Sequence, residues 1–156
     1  MNILFVCKYN KFRSRIAEAY LKKINKNKDI KAESAGLIEG IYPLEKEQVE
    51  VAKEMGLNIE GKPKALSSRL LKNQDLIVLV ANDVPPIIFR SIETNKKTGI
   101  NVINLNIPDV ASYDKKDIEK TIKTIMKEID KLVNNLEKKW QMTTQRDFKI
   151  LLEKKL

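Results

Sequence analysis

Apolar residues follow two patterns that alternate along the chain: short continuous runs, and stripes with helical spacing. Residues 3–6 and 76–80 are continuous apolar runs of a length that suits strands buried on both faces. Residues 30–35 and 100–105 fit two further strands. Apolar spacings of three and four predict helices near 13–25, 43–55, 68–71 and 118–136. Because strands and helices alternate, the sequence predicts an α/β fold, a three-layer sandwich with a four-stranded parallel sheet and helices on both faces.

Single residues mark several of the predicted helix boundaries. Pro43 is expected to open the second helix and Gly56 to end it. Ser67 or Ser68 can cap a short third helix. The last helix is predicted from an apolar stripe formed by Ile118, Ile122, Ile125, Ile129, Leu132 and Leu136. This stripe spans only about three heptads, so it favours a helix packed on the sheet over a coiled coil.

The C-terminal segment has its own apolar pattern. Its large apolar residues are Trp140, Phe148, Leu151, Leu152 and Leu156. Their spacing predicts another amphipathic helix. We therefore expect an α/β domain over residues 1–139 and a helical extension over residues 140–156 that packs on the same domain. A surface for self-association is the second interpretation of this extension, so we expect a monomer or a weak homodimer.

Charge and composition narrow the class of partner. The chain has 156 residues, enough for one domain, and its net charge of +9 favours anionic ligands. The lysines are spread along the chain and form no basic stripe, so we expect no nucleic-acid partner. No apolar run approaches the length of about 18 residues that a membrane span needs. One cysteine allows no internal disulfide, and no signal peptide is visible, which together predict a cytoplasmic protein.

The candidate chemistry lies in residues 7–14, between the first strand and the first helix. A loop in this position gathers unpaired backbone N–H groups and the positive end of the helix dipole, and both attract anions. Cys7 stands at the end of the strand, where the same field stabilises its reactive thiolate. Arg13 adds a planar guanidinium that suits a tetrahedral oxyanion. The segment therefore predicts a loop that binds phosphate and attacks it through a thiolate.

The spacing Cys-x5-Arg-Ser directly after the first strand resembles the low-molecular-weight protein tyrosine phosphatases, whose fold the thioredoxin-coupled arsenate reductases share. The usual loop of that family reads Cys-x-Gly-Asn-x-Cys-Arg-Ser. The resemblance covers roughly residues 2–138, with Ile16-Ala17-Glu18-Ala19 similar to the start of the family's first helix. The other matching positions are Cys7, Asn10, Arg13, Ser14, Ser34, Ala35, Gly36, Pro108 and Asp109. Three positions depart from the family pattern: Tyr9 replaces the loop glycine, Phe12 replaces the second cysteine, and Val110 interrupts the usual Asp-Pro.

The resemblance implies a cysteine-dependent phosphomonoester hydrolase, most directly a protein tyrosine phosphatase. Cys7 would be the nucleophile, Arg13 the phosphate clamp and Asp109 the general acid, with Asp114 and Asp117 as rivals for the acid. The residues expected to bind substrate are Lys8, Tyr9, Asn10, Lys11, Phe12, Ser14 and Tyr113. The expected ligands are a phosphotyrosine protein or a small aryl phosphate, and a phosphate or sulfate ion in the loop. No cofactor or metal is expected, and the chain has no histidine.

Two alternatives remain at this stage. An arsenate reductase would need further cysteines to pass oxidation on to thioredoxin, whereas Cys7 is the only cysteine. A non-catalytic module that binds phosphate or phosphoproteins on the same fold is the other alternative. Release of phosphate from an aryl phosphate separates an enzyme from such a module.

Overall fold

A computed structural model describes residues 1–89, 101–110 and 113–153, with side chains described as far as Met142. Its strands and helices are β1 (Asn2–Cys7), α1 (Arg13–Ile24), β2 (Lys31–Gly36), α2 (Lys46–Glu54), α3 (Ser68–Lys72), β3 (Leu76–Ala81), β4 (Asn101–Ile107) and α4 (Lys115–Glu153). A short 3-10 turn, Pro86–Phe89, follows β3. The sequence of elements is the alternation that the apolar pattern predicts.

The four strands form one parallel sheet in the order β2-β1-β3-β4. β1 is central and pairs on both sides, with Val6 opposite Ala35 of β2 and Leu79 of β3. All carboxyl ends of parallel strands lie at one edge of the sheet, where ligands bind in such folds. Cys7, the last residue of β1, reaches this edge directly beside Gly36.

The two faces of the sheet are buried in separate cores. Along β1, Ile3 and Phe5 belong to the core beneath α1, α2 and α4, whereas Leu4 and Val6 belong to the core beneath α3. This alternation follows from the two-residue period of a strand. The apolar stripe of α4 lies wholly in the first core, since Ile118, Ile122, Ile125 and Ile129 are fully buried. The predicted three-layer α/β sandwich is confirmed.

Two predicted cap residues have the expected role, and one helix start differs. Ser67 caps α3 by accepting a hydrogen bond from the Leu70 backbone N–H, and Gly56 follows α2 with a φ of +74°. However, α2 begins at Lys46 rather than at Pro43. Glu45, the residue directly before α2, has an extended backbone conformation.

α4 is longer than the apolar stripe alone predicts. It runs without interruption to Glu153, so residues 140–153 continue this helix and start no new element. Trp140 is 43% exposed. The packing of the extension on the domain remains a prediction, because side chains beyond Met142 are outside the described part. Among the described helices, none combines the length and apolar character needed to cross a bilayer.

Candidate active site

The loop from Cys7 to Arg13 connects the central strand to the first helix. The residue that precedes α1 is Phe12, whose side chain has no acceptor and makes no capping hydrogen bond. The first turn of α1 also contains no acidic residue. The start of this helix therefore presents uncapped N–H groups and the positive end of its dipole to the loop, as an anion site requires.

Cys7 is buried at the base of this loop. Its Sγ lies 3.0 Å from the hydroxyl oxygen of Ser14, which is itself fully buried. The backbone carbonyl of Cys7 accepts a hydrogen bond from the Leu37 N–H, so the strand pairing of β1 and β2 continues past their ends. The sulfur is thus held in one place by the strand and faces a hydroxyl that can donate to a thiolate.

Asn10 shapes the loop from behind. Its φ is +53°, a left-handed conformation that asparagine tolerates better than most residues. The side-chain amide donates to the hydroxyl oxygens of Ser14 and Ser34, at 3.0 and 2.9 Å, and its oxygen accepts from the Lys64 N–H at 2.9 Å. Ser34 in turn donates to Glu18 at 2.5 Å. These contacts fix the loop and the Ser14 hydroxyl together.

Gly36 allows the second strand to approach the loop. A Cβ atom at this position would lie 2.7 Å from the carbonyl carbon of Tyr9 and 2.8 Å from the nitrogen of Asn10. Such distances exclude any side chain without movement of the loop backbone. The glycine of the Ser34-Ala35-Gly36 segment is therefore needed for packing against the loop.

The guanidinium of Arg13 is 97% buried and is oriented by three groups. It donates to the Ile107 carbonyl at 2.9 Å and to both carboxylate oxygens of Asp83 at 3.1 and 3.2 Å. Its Nε lies 3.5 Å from Asp109 Oδ1. Arg13 is the first residue of α1, where a positive charge opposes the helix dipole, and these two carboxylates offset that cost.

Arg15 holds a neighbouring turn in place. Its guanidinium donates to the backbone carbonyls of Ile59, Glu60 and Lys62. Burial lowers the pKa of Arg15, and the nearby charges of Glu18 and Cys7 act in the opposite direction. Lys64, just after this turn, supplies the N–H that Asn10 accepts, so the turn supports the rear of the loop.

A cavity of about 220 Å³ opens above the loop and collects most of the predicted site residues. Its lining residues are Cys7, Tyr9, Lys11, Phe12, Arg13, Glu45, Gln48, Asp109, Val110 and Tyr113. Tyr9 and Tyr113 are 38% and 67% exposed, so they stand at the rim. The predicted nucleophile, clamp and acid thus share one cavity.

Three of the predicted substrate-binding residues do not line this cavity. Asn10 and Ser14 lie behind the loop, where Asn10 donates to the Ser14 hydroxyl and Ser14 contacts Cys7. The Lys8 ammonium sits over the Tyr9 ring, 5.0 Å from its centre. Asp114, a rival for the acid, accepts a hydrogen bond from the Lys116 N–H at the start of α4 and does not line the cavity. Asp117, the other rival, lies in the first turn of α4.

Three polar residues at the site are not predicted from the sequence. Asp83 follows the end of β3. Ligands in such folds bind beyond the carboxyl ends of the strands, and this rule, which indicated Asp109 after β4, also indicates Asp83. Glu45 pairs with Lys11 at 2.6 Å. Gln48 is a polar residue on the buried face of α2, beside Val51 and Ala52, and this break in the apolar pattern was a visible signal.

No group of three or more acidic or thiol side chains in the described part of the chain could hold a metal ion.

One protein family matches most of the chain. The family model described as low molecular weight phosphotyrosine protein phosphatase matches residues 2–142. The comparison with curated protein sequences finds no match.

Solved structures share the fold over most of the chain. A low-molecular-weight protein tyrosine phosphatase from T. tengcongensis is 27% identical with a TM-score of 0.68, covering 86% of this chain and 99% of its own. An arsenate reductase from Archaeoglobus fulgidus is 28% identical with a TM-score of 0.65, covering 85% and 98%. An arginine phosphatase from Geobacillus stearothermophilus, 19% identical with a TM-score of 0.71 over 90% and 96%, shows the same fold. From the family match over nearly its whole length, the chain belongs to the low-molecular-weight phosphotyrosine protein phosphatase family.

Proposed function

We propose that this protein hydrolyses phosphotyrosine through a covalent thiophosphate on Cys7. The observation that carries the proposal is the shared cavity, in which the Cys7 sulfur, 3.0 Å from the Ser14 hydroxyl, opens beside the buried Arg13 guanidinium. Thiolate, hydroxyl and guanidinium in this arrangement suit nucleophilic attack on a phosphate that the loop amides hold.

In the first step, the Cys7 thiolate forms a bond to phosphorus and the bond to the aryl oxygen breaks. Arg13 and the loop N–H groups stabilise the negative charge on the equatorial oxygens. Asp109, protonated at this stage, gives its proton to the departing phenolate. Tyr9 and Tyr113 at the cavity rim provide aromatic surfaces for the ring of the substrate.

In the second step, water attacks phosphorus and the bond to sulfur breaks. Asp109, now a carboxylate, takes the proton from the water. The Ser14 hydroxyl stabilises the thiolate as it leaves. The products are inorganic phosphate and the free enzyme, and the cycle requires no external oxidant or reductant.

The single cysteine bears on the arsenate reductase alternative. A reductase that passes oxidation to thioredoxin through its own thiols needs more than one cysteine, and this chain has Cys7 alone. Phe12, which stands where the family loop has its second cysteine, is buried in the cavity wall and offers no thiol. Hydrolysis without redox chemistry therefore fits this chain better.

The experiment compares wild type with Cys7→Ser on p-nitrophenyl phosphate and on a phosphotyrosine peptide. We expect phosphate release by wild type and none by the variant. Iodoacetate should alkylate Cys7 near neutral pH, and inorganic phosphate should slow that alkylation competitively. Absence of phosphate release together with phosphate-protected alkylation would instead indicate the non-catalytic binding module.

A further inference from the structure

One wall of the cavity is polar and is not used by the proposed chemistry. It consists of Lys11 from the loop, Glu45 before α2 and Gln48 from the first turn of α2. We call these three residues the α2 wall. It shares the cavity with Cys7 and with the exposed Tyr113, and none of the steps above assigns it a role.

Gln48 is the unusual member of this wall. The residue is 92% buried, and it lines the cavity. Within the described ranges of the chain, no hydrogen-bond partner of its side-chain amide is found. Neither atom of this amide is among the fully buried unpaired side-chain atoms of the described residues, so the amide is open to the cavity, where a ligand can replace water as its partner. An amide placed this way next to a nucleophile suits a contact with substrate.

Lys11 supplies a second set of donors in the same wall. Its ammonium contacts Glu45 at 2.6 Å, and the side chains of this pair are 24% and 38% exposed. An ammonium has three N–H donors, so it can bind a further acceptor while this contact persists. Gly40 leaves room for the lysine stem, since a Cβ atom there would lie 2.7 Å from Lys11 Cγ. Glu45 thus contacts the ammonium and Gly40 accommodates the stem, so the lysine side chain forms part of the cavity wall.

We propose that Lys11 and Gln48 form a second subsite that binds an anionic group next to the scissile phosphate, so that acidic phosphotyrosine peptides are the preferred substrate class. The inference rests on the proposed function, because it concerns the group beside the phosphate. Both residues line the cavity and have N–H donors in their side chains, and an anion is the acceptor that such donors bind most strongly. The net charge of +9 draws anionic peptides to the molecule in general, whereas this subsite distinguishes among them at one position.

Three substitutions change the subsite in different directions. Gln48→Glu keeps the shape of the side chain and replaces its donor with a negative charge. Lys11→Met removes the ammonium but keeps most of the apolar stem. Glu45→Gln leaves the ammonium without its carboxylate partner. Lys46→Met is the matched control, because Lys46 pairs with Glu50 on the exposed side of α2 and does not line the cavity.

The test measures binding of phosphotyrosine peptides in the Cys7→Ser background, at fixed ionic strength, by calorimetry. The peptides differ only in whether glutamate, alanine or lysine flanks the phosphotyrosine on both sides. We expect the glutamate peptide to bind about tenfold more tightly than the lysine peptide, the size of one hydrogen bond to a charged group. Lys11→Met and Gln48→Glu should each lower this ratio toward the smaller preference that the net charge alone gives, and Glu45→Gln should raise it. Lys46→Met should retain the ratio.

Equal affinity for the three peptides in the Cys7→Ser protein would overturn the proposal. The same ratio in Gln48→Glu as in Lys46→Met would also overturn it, as would a failure of every phosphopeptide to bind. Hydrolysis of p-nitrophenyl phosphate, which has no flanking group, tests the proposed function separately. Turnover of this compound without peptide selectivity rejects the subsite alone, and selectivity without turnover rejects the phosphatase activity alone. Circular dichroism confirms that each variant is folded.

Discussion

Among the single residues, Arg13 has the strongest set of constraints. Its Nη2 donates to both oxygens of Asp83 and its Nη1 donates to the Ile107 carbonyl, so two separate neighbours orient the guanidinium. A clamp on a transition state gains most when it is oriented before substrate binds, because no reorganisation is then needed during reaction. Asp83 thus acts on the reaction through Arg13, as a positioning residue.

Arg13→Lys should reduce turnover of an aryl phosphate by about 10²–10³-fold, equivalent to about 3–4 kcal/mol, because an ammonium retains the charge but lacks the planar pair of donors. Steady-state kinetics measures the effect. Arg69→Lys, on the exposed face of α3, is the control and should leave turnover unchanged. Turnover of Arg13→Lys within a few-fold of wild type would show that the guanidinium does not hold the reacting phosphate.

Asp109→Asn tests the proposed acid. The loss should be about 10²–10⁴-fold for phosphotyrosine, the usual contribution of acid–base catalysis, and smaller for p-nitrophenyl phosphate. The difference arises because nitrophenolate departs without needing a proton, whereas the tyrosine phenolate needs one. Comparison of kcat/KM for the two substrates measures this difference, because kcat/KM reports the first step, in which the leaving group departs.

Asp114→Asn is the control for this substitution, because Asp114 caps α4 outside the cavity and asparagine caps a helix equally well. If Asp114→Asn instead shows the loss that depends on the leaving group, Asp109 is not the acid.

Local sequence identifies some of the site residues and not others. Cys7, Asn10, Arg13 and Ser14 lie within eight positions, so one loop brings them together and the sequence predicts their proximity. Asp83 is 70 positions from Arg13, and their contact exists only because β1 and β3 are neighbours in the sheet. The position of Gln48 at the cavity also depends on tertiary structure, because it is set by how α2 packs beside the loop.

At the scale of elements, the contact between α1 and α4 contains a partly buried hydrogen bond. The hydroxyl of Tyr20, a 9% exposed residue of α1, donates to Asp130 of α4 at 2.9 Å. Burial, and then this hydrogen bond, raises the pKa of Tyr20. A phenol whose pKa is higher in the folded chain than in the unfolded chain stabilises the fold fully below about pH 10, and this contribution disappears as the pH rises through the folded pKa.

Tyr20→Phe should therefore lower the free energy of unfolding by about 1 kcal/mol at pH 7, the usual net value of one hydrogen bond. For a chain of this size, that is a decrease of about 2–4 °C in Tm. The variant should also lose less stability than wild type between pH 9 and 11, a range around the unperturbed tyrosine pKa of about 10. Urea unfolding followed by circular dichroism measures both effects.

Tyr42→Phe, at an exposed position, is the reference for that experiment. If wild type and Tyr20→Phe lose stability equally above pH 9, the link between α1 and α4 contributes nothing that depends on pH.

The elements themselves were predictable where burial alone determines them. β1 and β3 are continuous apolar runs because both faces are covered, and α4 shows its stripe because one face is covered. The sequence predicted that α2 begins at Pro43, because proline often occupies the first turn of a helix. In the structure α2 begins at Lys46, three residues later. Proline restricts its own backbone but does not determine that the next residues are helical.

For the molecule as a whole, alternation of strands and helices predicted a parallel sheet but not its strand order. The order β2-β1-β3-β4 places the first strand in the middle, and this arrangement depends on crossovers that apolar periodicity does not encode. It is also what separates the proposed nucleophile from the proposed acid. Cys7 ends the central strand β1, whereas Asp109 follows β4 at the edge of the sheet.

The strand that ends at the proposed nucleophile and the strand that precedes the proposed acid should therefore unfold locally with different free energies. β1 is buried and paired on both sides, so its amides should exchange with deuterium only through global unfolding. β4 is paired to β3 and largely exposed, and its amides should exchange through cheaper local openings. In low urea, hydrolysis of phosphotyrosine should then decline before phosphate ceases to protect Cys7 from iodoacetate. Coincident loss of both signals would show that the sheet opens as one cooperative unit, with its edge as stable as its centre.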